Sequence, residues 1–178
     1  MRAHRRFLRS FLDSASGRSI AHFRGMRLGH VQLRVRDLET SRAFYERVLG
    51  WATRETGRGV AFLGGGREHH QLALLAVGHD AAAAPFAVGL SHVAFEVETR
   101  EAWVDIYRRL AHSGFAVSAF DLGVSWSLYL RDPDGNEVEL YCDTRQAPGG
   151  RTAWGGRGTG LDLKQASERL GREPVAAV

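Results

Sequence analysis

Apolar and polar positions alternate with a period of two in Leu28-Gly29-His30-Val31-Gln32-Leu33-Arg34-Val35, and again in Leu90-Ser91-His92-Val93-Ala94-Phe95-Glu96-Val97. That alternation predicts half-buried strands. Val31, Leu33 and Val35 then face one side and His30 and Gln32 the other; Val93, Phe95 and Val97 oppose His92 in the same way. A third run, Glu137-Val138-Glu139-Leu140, follows the turn Asp132-Pro133-Asp134-Gly135-Asn136 and sets Glu139 opposite Val138 and Leu140. All three polar residues leave the core face. A carboxylate flanked by apolar neighbours needs a chemical reason.

The two histidine strands begin an internal repeat. Aligning His30 with His92 also aligns Val31 with Val93, Leu33 with Phe95, Val35 with Val97, Tyr45 with Tyr107 and Arg47 with Arg109. Each strand precedes a helical pattern, one through Phe44 and Val48 to Gly50, the other through Trp103, Ile106, Tyr107 and Leu110 to Gly114, with Thr99 as N-cap. Two or three short strands then complete each unit, near 51–56, 59–64 and 70–77 in the first and near 115–120, 126–131 and 137–142 in the second. The fold class is therefore α+β, built from two tandem βαβββ modules over residues 26–78 and 88–145.

This arrangement, with the Asp132-Pro133-Asp134-Gly135-Asn136-x-x-Glu139-Leu140 run, resembles the vicinal oxygen chelate superfamily of glyoxalases, bleomycin resistance proteins and extradiol dioxygenases. The resemblance covers residues 26–145 and implies a cupped mixed sheet with helices on its outer face. It further implies a divalent metal held by His30, His92 and Glu139. Two imidazoles and one carboxylate leave half of an octahedral sphere open, which favours Fe(II), with Mn(II) and Zn(II) as alternatives.

Glyoxalase I and related epimerases use a fourth ligand from the last strand of the first module. Matching Gln71-Leu72-Ala73-Leu74 to Glu137-Val138-Glu139-Leu140 puts the inert Ala73 there, with Gln71 two residues away. The run His69-His70-Gln71-Leu72-Ala73 resembles a dioxygenase segment whose second His shuttles protons, which implies that role for His70, a residue type suited to it near neutral pH. Ser127-Leu128-Tyr129 resembles a strand whose Tyr donates a hydrogen bond to bound substrate, implying this for Tyr129. One departure is Leu122, which stands where small catechol dioxygenases often carry His and implies a less polar wall.

The expected activity is ring cleavage of a small, catechol-like aromatic diol with O2. The alternatives are a glyoxalase-type lyase or isomerase using a metal to polarise an enediolate, and a non-catalytic drug-binding protein of the same fold. A complete site can form within one chain of two modules, and exposed sheet edges also allow a homodimer.

Composition changes the picture mainly at the ends. The 178 residues suffice for one real core, and the net charge of +4 is unevenly spread. Residues 1–25 carry six Arg against one Asp, whereas residues 26–145 carry 13 Arg against 16 acids. A nucleic-acid partner would rest on the tails alone and is not expected. Residues 1–25 read as a disordered basic extension without a secretory or membrane-spanning stretch, so no membrane partner is expected. The lone Cys142 shares a strand face with Val138 and Leu140 and suits a reducing, cytoplasmic setting. Residues 146–178 read as a Gly-rich flexible tail with a short helix at 161–170.

Overall fold

A computed structural model describes residues 27–82 and 88–172. The basic extension expected over residues 1–25 lies outside the described residues, as does part of the segment joining the modules.

The first module runs β1 (Val31–Val35), α1 (Leu38–Leu49), β2 (Ala52–Gly57), β3 (Val60–Gly64) and β4 (Leu72–Ala76). The second repeats it as β5 (His92–Glu96), α2 (Arg100–His112), β6 (Ser118–Asp121), β7 (Ser125–Arg131) and β8 (Glu137–Asp143). Local chemistry sets the helix ends. The Asp37 carboxylate caps α1 by accepting from Thr40 N at 2.7 Å, and Thr99 caps α2 by accepting from Ala102 N at 3.1 Å. Gly50 closes α1 in the left-handed region at φ 68°, where a side chain would be strained.

Each module forms its own mixed sheet. The first has the order β1-β4-β3-β2, and the second β5-β8-β7-β6 extended by β9 (Thr159–Gly160). In each, the first strand, which follows His30 in the first module and begins with His92 in the second, pairs in parallel with the last strand and lies at the sheet edge. Leu33, Val35, Val93, Val138 and Leu140 enter a shared core with Tyr45, Val48, Trp103 and Leu110 from the helices. Trp103 Nε1 donates to the Leu140 carbonyl at 3.0 Å, pinning α2 onto the strand that carries Glu139.

The modules join on this helix side. The buried Tyr45 hydroxyl donates to Asp132 at 3.0 Å, and Arg109 donates to the Val48 carbonyl at 2.9 Å. Trp51 meets Phe95 and Phe44 meets Phe115 edge to face. The Asp132–Asn136 turn is thus a joint as well as a turn. Asp132 also accepts from the backbone of Asp134 and Asn136, while Asp134 takes Arg36 N at 3.1 Å and Ser41 Oγ at 3.2 Å.

Where its glycines suggest a flexible linker, the C-terminal segment packs onto the second sheet. Arg151 N donates to the Gly123 carbonyl at 2.8 Å, β9 pairs with β6, and Leu161 is buried. Asp162 and Gln165 then form a reciprocal capping box that starts α3 (Leu163–Glu168). One apolar anchor and one cap outweigh the local glycine content. Cys142 is buried with a free thiol, and among the described residues no helix is long and apolar enough to cross a membrane.

Candidate functional site

Strand register defines two equivalent rows of side chains on the face opposite the core. In the second module the row runs Ala94, Glu139, Tyr129, Ser118; in the first it runs Gln32, Ala73, Phe62, Glu55. The repeat therefore places Ala73 as the counterpart of Glu139 and Phe62 as the counterpart of Tyr129. No donor stands at the fourth-ligand position. Gln71 is engaged elsewhere, its Oε1 accepting from Gly65 N at 3.2 Å.

Glu139 lies on a central strand and is only 8% exposed, although it points away from the hydrophobic core. A buried carboxylate is costly unless it is partnered. Tyr129 supplies one partner, its hydroxyl donating to Glu139 Oε1 at 2.9 Å, and His92 supplies the other, its Nε2 lying 3.1 Å from Oε2. His92 is in register with Glu137, so it reaches Glu139 diagonally, across the space left by the small Ala94. Burial, followed by the hydrogen bond to Glu139, pushes the Tyr129 phenol up to about 12. The expected donation by Tyr129 to a substrate is thus preceded here by donation to the carboxylate.

His30 lies elsewhere. Its ring packs against His70 with centroids 4.7 Å apart and the planes tilted by 50°, and His70 also packs on Phe62 at 4.7 Å. His70 Nδ1 is 2.9 Å from His69 Nδ1, and His69 Nε2 lies 3.3 Å from Glu55. His70 Nε2 is sealed from solvent without a hydrogen-bond partner. Desolvation, and then the neighbouring His30 and His69 imidazoles, hold His70 below the ordinary imidazole value. A neutral imidazole with a free nitrogen can accept a proton.

The five candidate residues therefore form two groups: His30 with His70, and His92 with Glu139 and Tyr129. Among the described residues no three His, Cys, Asp or Glu side chains converge closely enough to hold a metal ion. The donor chemistry suits a divalent ion, with two imidazoles and a carboxylate, but the three donors do not meet within one chain. His92 and Glu139 lie on strands β5 and β8, whereas His30 sits one residue before β1. The sequence carries no information about which faces oppose each other.

A cavity of about 430 Å³ opens beside Glu139, lined also by Val124, Ser125, Tyr141, Asp143, Arg145 and Thr152. Arg145 and Thr152 are rim residues that periodicity did not single out. Leu122 is not among the lining residues; it packs against the backbone at Gly158, where an added Cβ would come within 2.6 Å of Leu122 Cδ2. The apolar wall expected from Leu122 faces the C-terminal segment instead.

Residues 27–140 match the family described as the Glyoxalase/Bleomycin resistance protein/Dioxygenase superfamily. A biphenyl-2,3-diol 1,2-dioxygenase of Rhodococcus globerulus is 35% identical over 132 residues, which cover 72% of this chain and 68% of that protein. A catechol-2,3-dioxygenase of Bacillus subtilis is 31% identical over 152 residues, 82% of this chain and 53% of the other. The chain thus spans about two thirds of the first relative and about half of the second. Among solved structures, a lactoylglutathione lyase from Agrobacterium tumefaciens shares the fold with a TM-score of 0.53 at 26% identity, covering 65% of this chain and 92% of that one. A match that takes in both βαβββ modules, from the approach to β1 through the strand of Glu139, places the chain in the glyoxalase/bleomycin resistance/dioxygenase superfamily.

Proposed function

We propose that the chain is a metal-dependent extradiol-type dioxygenase that cleaves a catechol-like vicinal diol with O2. The observation that carries this reading is the Glu139 carboxylate, buried on the polar strand face and poised between His92 Nε2 and the Tyr129 hydroxyl. The relatives named as biphenyl-2,3-diol and catechol dioxygenases support the substrate class. Ala73 at the counterpart of Glu139 argues against a four-ligand, glyoxalase-type centre.

In this reading His30, His92 and Glu139 would hold Fe(II), which would supply one centre for the diol and O2. His92 and Glu139 come together within the chain, and His30 does not. His70 accepts the proton from a diol hydroxyl, a role that its depressed imidazole favours at neutral pH. Tyr129 orients the carboxylate through its hydrogen bond, and as a neutral phenol it remains a donor.

The test is metal dependence. Protein stripped and reloaded with Fe(II) should consume one O2 for each 2,3-dihydroxybiphenyl cleaved, with loss of activity on zinc replacement. Turnover of a hemithioacetal with zinc, nickel or cobalt, without O2 uptake, would favour the lyase reading.

A further inference from the structure

The cavity beside Glu139 extends well past that carboxylate. Glu139, Tyr141 and Asp143 alternate along β8 and all line it, so they share one face of the strand. At about 3.3 Å per strand residue, the steps from Glu139 to Asp143 cover about 13 Å. That is longer than a single aromatic ring, and the volume of about 430 Å³ lies within the range of about 300–1,000 Å³ that takes drug-sized ligands. Midway stands Tyr141, tethered by its hydroxyl to Glu96 at 3.3 Å. The far end is closed by chain beyond the family match at residues 27–140. Thr144 N donates to the Val124 carbonyl at 2.9 Å and Arg151 N to the Gly123 carbonyl at 2.8 Å, with turns at Ala147 and Gly150 between them, so that Arg145 and Thr152 both reach the cavity. This path is tightly set, since a Cβ on Gly150 would collide with the Thr144 carbonyl. Asp143 holds the Arg145 guanidinium, accepting from Nε at 2.9 Å and from Nη2 at 2.5 Å. Among the described residues, Arg145 Nη1 takes no hydrogen-bond partner.

We propose that Arg145 and Thr152 recognise the far end of the substrate, an aromatic diol extended by a second ring or chain that ends in a hydrogen-bond acceptor such as a carboxylate. This rests on the diol reading above and adds what the ring carries. With Leu122 turned toward Gly158, the far end of the cavity is polar, made by Ser125, Asp143, Arg145 and Thr152. A guanidinium donates in a fixed plane that matches a carboxylate, and Asp143 orients it before the ligand arrives, which lowers the ordering cost of binding. Thr152 adds a hydroxyl that can donate beside it. Asp143 also offsets the charge of Arg145, whose side chain is 57% exposed, so the gain comes from directed hydrogen bonds on a solvated rim. That sets the preference at about 10-fold in affinity, the low end for a bond to a charged group.

Isothermal titration calorimetry of iron-loaded protein in the absence of O2 tests this, with 2,3-dihydroxybiphenyl and its 4′-carboxylate as probes. Wild-type protein should bind the carboxylate about 10-fold more tightly. In Arg145→Gln the two should bind equally. In Thr152→Trp, which fills the far end, both should weaken about 10-fold relative to catechol. Circular dichroism checks that each variant folds, and the Thr152 variant keeps the test open should Arg145→Gln fail. Equal affinities in the wild type, a preference that survives Arg145→Gln, or long diols unaffected by Thr152→Trp would overturn the assignment. A merely structural Arg145 would lower both affinities together and leave their ratio intact. Admitting O2 then separates this inference from the reading beneath it. Cleavage of both diols with equal affinity would overturn the recognition site alone, whereas the 10-fold preference without O2 uptake would overturn the dioxygenase reading and leave the site standing. Binding of no diol would overturn both.

Discussion

Ala94 stands directly beside Glu139 in the parallel β5–β8 pair, and its small side chain leaves the diagonal open along which the carboxylate meets His92 at 3.1 Å. The equivalent pair in the first module, Gln32 beside Ala73, reverses the order of long and short side chains. The two halves share the backbone frame, and the carboxylate stands in the second half alone.

Filling that space should disable the site without unfolding the protein. Ala94 is solvent-exposed, so Ala94→Leu should change stability by no more than about 0.5 kcal/mol. By displacing Glu139 from His92 it should weaken iron binding about 10–100-fold, the usual cost of misorienting a ligand. Iron affinity by chelator competition checks this, and unchanged affinity would show that the diagonal contact does not matter.

His70→Phe should separate chemistry from metal binding. The residue packs on His30 and Phe62 and keeps one nitrogen free. Turnover should fall about 10²–10⁴-fold, the range for a general acid–base group, with iron content nearly intact. Equal losses of both would make His70 a packing residue.

Tyr45→Phe tests the joint between the modules. The substitution removes one hydrogen bond to the buried Asp132, which retains donors from Asp134 and Asn136. A bond to a charged group is worth about 1.5–3 kcal/mol, and the remaining donors put the expected loss near the low end, about 1.5 kcal/mol in urea unfolding. A loss near zero would remove the joint from the account.

Alkali should unfold the protein through its tyrosines. The phenols of Tyr45, Tyr107, Tyr129 and Tyr141 are all raised above the ordinary tyrosine range, each by burial first, and Tyr129 to about 12. The folded state therefore holds these protons more tightly than the unfolded state. Their contribution to stability is complete below pH 10 and is lost as pH rises from 10 through about 12 for Tyr129. Tyrosinate absorbance should lag that of the denatured chain across this window. Overlapping folded and denatured titrations would contradict it.

Much of the frame was legible in the sequence because it is written in local periods. Alternation placed β1, β5 and β8, the repeat aligned Ala73 with Glu139, and strand register reproduces that alignment. What escaped is non-local. Nothing around Asp132 distinguishes a turn from the joint that receives Tyr45, and nothing around Leu161 shows that a lone leucine in a glycine-rich stretch fills the core. Leu122 was read by resemblance as cavity wall, but the packing of the C-terminal segment takes it away from the Glu139 cavity. The separation of His30 from His92 is of the same kind, because alternation fixes the face a side chain takes and not the sheet it opposes.

Under the proposed function the chain cleaves an aromatic diol with dioxygen. The most direct measurement is mass spectrometry of the product formed from 2,3-dihydroxybiphenyl under ¹⁸O2 by iron-loaded protein. The expected result is a ring-opened product that carries both labelled oxygen atoms. Unlabelled product, or a diol returned intact while a thiol-adduct substrate is isomerised without oxygen, would contradict it.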